Sequence, residues 1–92
     1  MTDPVVTATE VADALVGDDG AVVLVVSGGQ HHVLRLSLLG QAIREIAATG
    51  VPMSRLTDEL VGRFGGAGAD PAADVVALVN QLESAGLVRV DG

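Results

Sequence analysis

Five consecutive aliphatic residues, Val22-Val23-Leu24-Val25-Val26, stand between two glycine-containing turns. Gly17-Asp18-Asp19-Gly20 precedes them and Ser27-Gly28-Gly29-Gln30 follows. Branched side chains pack well on a pleated surface, and Gly and Asp tolerate the positive φ that tight hairpins need. The segment therefore reads as a strand with a hairpin at each end. His31 to Leu36 reads as the next strand. Leu34 and Leu36 alternate with Val33 and Arg35, giving one apolar and one mixed face. The first strand is placed at Val5 to Val11, with Ala12 to Val16 either continuing it or forming a short turn. The expectation is a three-stranded antiparallel meander.

Near residue 37 the apolar spacing changes to a helical period. Ser37 is an N-cap for a first helix, whose Leu39, Ala42, Ile43, Ile46 and Ala47 share one face, with Gly50 closing it at C′. A second helix starts with Pro52 at N1. Leu56, Leu60 and Phe64 form its stripe beside Met53 and Val61, and Gly65-Gly66 ends it. In the third, Asp70 caps, Pro71 is N1, Val75, Leu78, Val79 and Leu82 form the stripe, and Gly86 stops the helix. Leu87 to Val90 follows as a short strand or extended tail, and Gly65 to Ala69 is the loosest loop. The expected class is α+β: a winged helix-turn-helix with an N-terminal three-stranded meander followed by three helices, βββααα. With 92 residues, such a chain holds one modest core, so residues 1–92 are expected to form a single domain.

Composition narrows the function. Twelve acidic residues oppose five basic ones, all Arg, for a formal charge of −7. That balance opposes binding to a phosphate backbone or an anionic membrane. The absence of Cys removes disulfides, thiolate metal ligands and a thiol nucleophile. The start, Met1-Thr2-Asp3-Pro4, is not a secretory signal, and the longest uncharged stretch, Gly20 to Leu34, is too short and polar to span a bilayer. A cytoplasmic protein without nucleic-acid or membrane partners is expected.

No local motif carries chemistry. Gly28-Gly29 and Gly65-Gly66-Ala67-Gly68 lack the Lys-Ser/Thr of a phosphate loop and the G-x-G-x-x-G spacing. His31 and His32 are neighbours on a strand, so they point to opposite faces and cannot share a metal. The carboxylates fall on turns and helix surfaces, where solvation and helix dipoles account for them. The serines sit in turns, caps and helices. No catalytic residue, cofactor or metal is assigned. Arg35, Arg44, Arg55, Arg63 and Arg89 are dispersed, and the third helix carries Asp74 and Glu83 but no base, which argues against a DNA-reading helix.

Nearly the whole chain resembles PqqD-like proteins. Leu36-Ser37-Leu38-Leu39-Gly40-Gln41-Ala42-Ile43 is similar to their L-N-x-x-G/A-x-x-I strand–helix junction, with Ser37 where Asn is commoner. Gly50 to Leu56, Leu60 and Phe64 resemble the family's second helix. Asp74-Val75, Leu78, Leu82 and Gly86-Leu87-Val88 resemble its D-V-x-x-L-x-x-x-L-x-x-x-G-L ending. The likeness spans roughly residues 5–90 and rests on core and cap positions. The hairpin at residues 27–32 is longer than usual, and His31 and His32 replace common aromatic residues. The resemblance implies a recognition element that binds the leader of a ribosomally made precursor peptide and presents it to a modifying or leader-cleaving enzyme, as in lasso-peptide or related biosynthesis. It further implies that the leader adds to the edge of the third strand, against the third helix.

A free strand edge offers unpaired N–H and C=O groups to an extended peptide, with side-chain pockets giving selectivity. The expected peptide-binding residues are His31, His32, Val33, Leu34 and Arg35 on the strand, and Val76, Val79, Asn80 and Glu83 on the third helix. Val76 and Val79 fit the groove and the core equally. Two competing readings are a winged-helix DNA-binding regulator and an interaction module that pairs with itself through the strand edge as a homodimer.

Overall fold

The computed structural model describes residues 3–65 and 70–92. Its elements run β1 (Val5–Ala8), β2 (Asp13–Gly17), β3 (Gly20–Ser27), β4 (Gln30–Ser37), α1 (Leu38–Ile46), β5 (Val51–Pro52), α2 (Met53–Phe64), α3 (Pro71–Ser84) and β6 (Val88–Asp91). The chain is α+β with three helices, but its strands form two antiparallel three-stranded sheets, β2-β3-β4 and β5-β1-β6. The expected simple βββααα order is corrected accordingly. Gly66 to Ala69, within the expected helix stop and loop, lie outside the described residues, as do Met1 and Thr2.

The meander exists, but its first strand is β2. Val5–Ala8 leaves for the other sheet, where it lies between β5 and β6. The reason is burial. Val6 is fully buried, and strands on both sides pair with the β1 backbone. Every residue of β2 is exposed, so no inside–outside alternation marks it as a strand. Pairing with β3 over Asp13↔Leu24 to Gly17↔Gly20 creates it.

The turns follow glycine chemistry. Gly28 and Gly29 take φ 58° and 79° in the two-residue loop between Ser27 and Gln30. In the preceding turn, no positive φ falls on Asp18 or Asp19. Gly20 takes φ 133°, and a Cβ there would lie 2.0 Å from the Leu36 carbonyl oxygen. The strands approach so closely at this point that only glycine fits.

Helix ends are only partly local. The Gly40 amide donates to Ser37 Oγ at 3.1 Å, and the Ala73 amide to Asp70 Oδ1 at 3.2 Å. α3 ends in a Schellman arrangement: the Leu87 amide donates to the Leu82 carbonyl (2.9 Å) and the Gly86 amide to the Glu83 carbonyl (3.0 Å), with Gly86 at φ 79°. α1 stops earlier than expected, at Ile46, with Ala47 as its C-cap. Pro52 is the N-cap of α2 rather than N1 and offers no capping side chain. Asp3 supplies the cap instead: Ser54 Oγ donates to its Oδ2 (2.5 Å) and the Ser54 amide to its Oδ1 (3.2 Å).

The core lies between the inner face of the meander, the three helices and the second sheet. Val6, Val23, Ile43, Leu56, Val79 and Leu87 are its largest fully buried side chains. Leu39 and Phe64, expected in helix stripes, are exposed at the rim. Arg44 ties the layers together. Its Nη2 donates to the Thr9 carbonyl at 2.6 Å and its Nε to the Leu87 carbonyl at 3.3 Å. Burial pushes this guanidinium below its ordinary pKa. Among the described residues, no helix is long and apolar enough to cross a membrane.

Candidate functional site

The site is built on β4. It pairs with β3 from Ser27↔Gln30 to Gly20↔Ser37, and it is an edge strand of its sheet. In an antiparallel pair, hydrogen-bonded and non-hydrogen-bonded positions alternate. The two-residue Gly28-Gly29 loop makes Ser27 and Gln30 a hydrogen-bonded pair, so Gln30, His32, Leu34 and Leu36 bond inward to β3. His31, Val33 and Arg35 therefore turn their N–H and C=O groups outward. An extended guest strand could make about six backbone hydrogen bonds there, each worth roughly 0.5–1.5 kcal/mol net.

The same register sorts the side chains. Ala21, Val23 and Leu36 are buried, which fixes the inner face as Ala21, Val23, Val25, His32, Leu34 and Leu36. His31, Val33 and Arg35 lie on the outer face with Val22, Leu24 and Val26. The two histidines thus occupy opposite faces, and both are exposed. Among the described residues, no group of three or more His, Asp or Glu could hold a metal ion.

Beside the inner face lies a recess of about 550 Å³. Val25, Val26, His32 and Leu34 form its strand wall, while Ser84, Ala85 and Gly86 at the C-terminal end of α3 form the other, with Glu10 also lining it. The Thr9 hydroxyl donates to the Gly86 carbonyl (2.7 Å), holding the segment before Glu10 against the α3 turn. α3 has no basic residue in its last turn; on this side the recess meets its carbonyl end and Glu10, with the Arg44 guanidinium close by on the Thr9 and Leu87 carbonyls.

The structure brings His32 and Leu34 together with the end of α3, but not with the expected helix residues. Val79 is fully buried in the core and cannot line a groove, because it falls with Val75 and Leu82 on the buried face of α3. Val76, Asn80 and Glu83 are exposed at i, i+4 and i+7 on a neighbouring face, outside the recess lining. Sequence reasoning missed Glu10, Val25, Val26, Ser84, Ala85 and Gly86. Counting outward from the Gly28-Gly29 turn would have paired Val25 with His32. No local signal marks Glu10 or the helix end, which meet the strands only through tertiary packing.

No protein-family model, no curated protein and no solved structure matches this chain, so its own geometry must carry the functional argument.

Proposed function

We propose that this chain is a non-catalytic recognition domain of the PqqD-like, winged helix-turn-helix type. It binds the leader of a ribosomally synthesised precursor peptide by strand addition to β4 and presents it to a modifying or leader-cleaving enzyme. The observation that carries this reading is an open β4 edge running beside a recess against the end of α3. Backbone pairing at His31, Val33 and Arg35 gives affinity, and alternate leader side chains enter the recess past His32 and Leu34. Arg35 favours an acidic leader residue on the outer face. The DNA-binding alternative draws no support from α3, which carries Asp74 and Glu83 and no base.

This reading expects a short precursor peptide to be encoded beside the gene, and the test is fluorescence anisotropy with its labelled synthetic leader. Saturable micromolar binding is expected. N-methylation of alternate leader amides should abolish it, while methylation of the intervening amides is tolerated. Arg35→Glu should weaken binding more than Arg55→Glu. Absence of binding, or equal loss at every methylated position, overturns strand addition, and equal effects of the two Arg variants overturn the role of Arg35.

A further inference from the structure

The outer face of the meander is covered by nothing among the described residues, yet it is mostly apolar. By register it carries Leu15, Val22, Leu24, Val26 and Val33 together with Asp13, His31 and Arg35. Leu15 is 77% exposed, Val33 68% and Val26 49%. Isolated exposed aliphatics are ordinary, but neighbours across three strands form a patch of the kind that marks an interface.

We infer that this face packs against the same face of a second copy of the chain. The charges select the occupant. Two cross-strand rows lie side by side: Leu15–Val22–Arg35 and Asp13–Leu24–Val33. The face bears one positive and one negative formal charge, on opposite edge strands one row apart, within a chain of net charge −7. The strand rows are thus neutral in sum, and the excess negative charge at this face is confined to Asp18 and Asp19 in the turn at its end, beside Arg35. A two-fold axis along the strands sets β2 of one copy over β4 of the other. Each Arg35 then comes within one row of the partner's Asp13, and the apolar residues meet between the two pairs. Among the described residues, neither Arg35 nor Asp13 forms an ion pair within its own chain.

The footprint is at most roughly 27 by 14 Å from strand length and spacing, narrower beside the 5-residue β2, and falls below that of a standard stable interface, so dimerisation is weak and depends on concentration. This arrangement uses the face of β4 and leaves its edge open. It therefore differs from edge-to-edge pairing; it shares Arg35 with the leader-binding reading, so the test below is made without peptide, where association alone is read.

Sedimentation equilibrium of the full chain, without peptide, from 10 μM to 1 mM tests it. The expected result is a shift from the 9.2 kDa monomer toward twice that mass. Leu15→Glu, an exposed change far from the β4 edge, should weaken association at least tenfold with the circular dichroism spectrum retained. Asp13→Arg and Arg35→Asp should each weaken it, and the double variant should recover most of the loss. A monomer throughout this range overturns the inference. So does a dimer indifferent to Leu15→Glu, which would be edge-paired, or a double variant no better than the single ones.

Discussion

The two sheets each have three strands and both pack on α1, yet they differ in strand length and in what they leave unfinished. In the β5-β1-β6 sheet the two ends of the chain meet, Val5 opposite Asp91 and Ala8 opposite Val88, around a fully buried Val6. Its neighbours are pinned by Arg44, Thr9 and Asp3. The β2-β3-β4 sheet buries only one face; both sheets have two edge strands without a further partner among the described residues, but those of the meander run 5 and 8 residues, against 2 and 4 for β5 and β6. The end sheet spends its surface on stability. The meander keeps backbone groups and an apolar face available, as a recognition surface requires.

That contrast can be broken or sharpened by substitution, followed by urea denaturation read by circular dichroism, since the chain has no Trp or Tyr. The largest effect is expected at the one point where the meander is closed tightly. Gly20→Val sets a side chain against the Leu36 carbonyl and should cost about 4 kcal/mol or more. Gly28→Ala meets nothing within 4 Å and should cost only the backbone strain, about 1–2 kcal/mol. Next comes burial: Val6→Ala should cost about 2 kcal/mol, whereas Val33→Ala on the open face should stay within about 0.5 kcal/mol. Arg44→Met leaves the Thr9 carbonyl without its donor and the Leu87 carbonyl with the Thr9 amide alone, and should cost about 1–3 kcal/mol. Asp3→Ala removes the cap of α2 for about 1 kcal/mol, much as Asp70→Ala does at α3. The smallest effect belongs to Gln41, whose Nε2 donates to Glu45 while its buried Oε1 has no partner. Gln41→Met should be within about 0.5 kcal/mol of neutral, because the loss of that bond is offset by removing an unmet acceptor.

Features encoded over a few residues were legible in the sequence. The β3–β4 hairpin follows from a branched aliphatic run and two glycines. Ser37, Asp70 and Gly86 act at the ends of α1 and α3 as their side chains, or the lack of one, predict. The opposite facing of His31 and His32 follows from strand pleating alone. Of the candidate site, the strand half was readable for the same reason. The helix half was not: a stripe that reads equally as groove or core is resolved only by what packs on it, and packing buried Val79 while leaving Val76 40% exposed.

The sequence by itself determined the three helices, the central hairpin, the acidic surface and the lack of thiol chemistry, because propensity, turn conformation and charge act within a few residues or not at all. Only the tertiary structure decided that Val5–Ala8 joins the far end of the chain, that fully exposed Asp13–Gly17 becomes a strand, that Asp3 caps a helix 51 positions away, and that the end of α3 walls a recess beside β4. Each of these is a pairing between distant segments. Its free energy lies in burial and hydrogen bonds that exist only once both partners are in place.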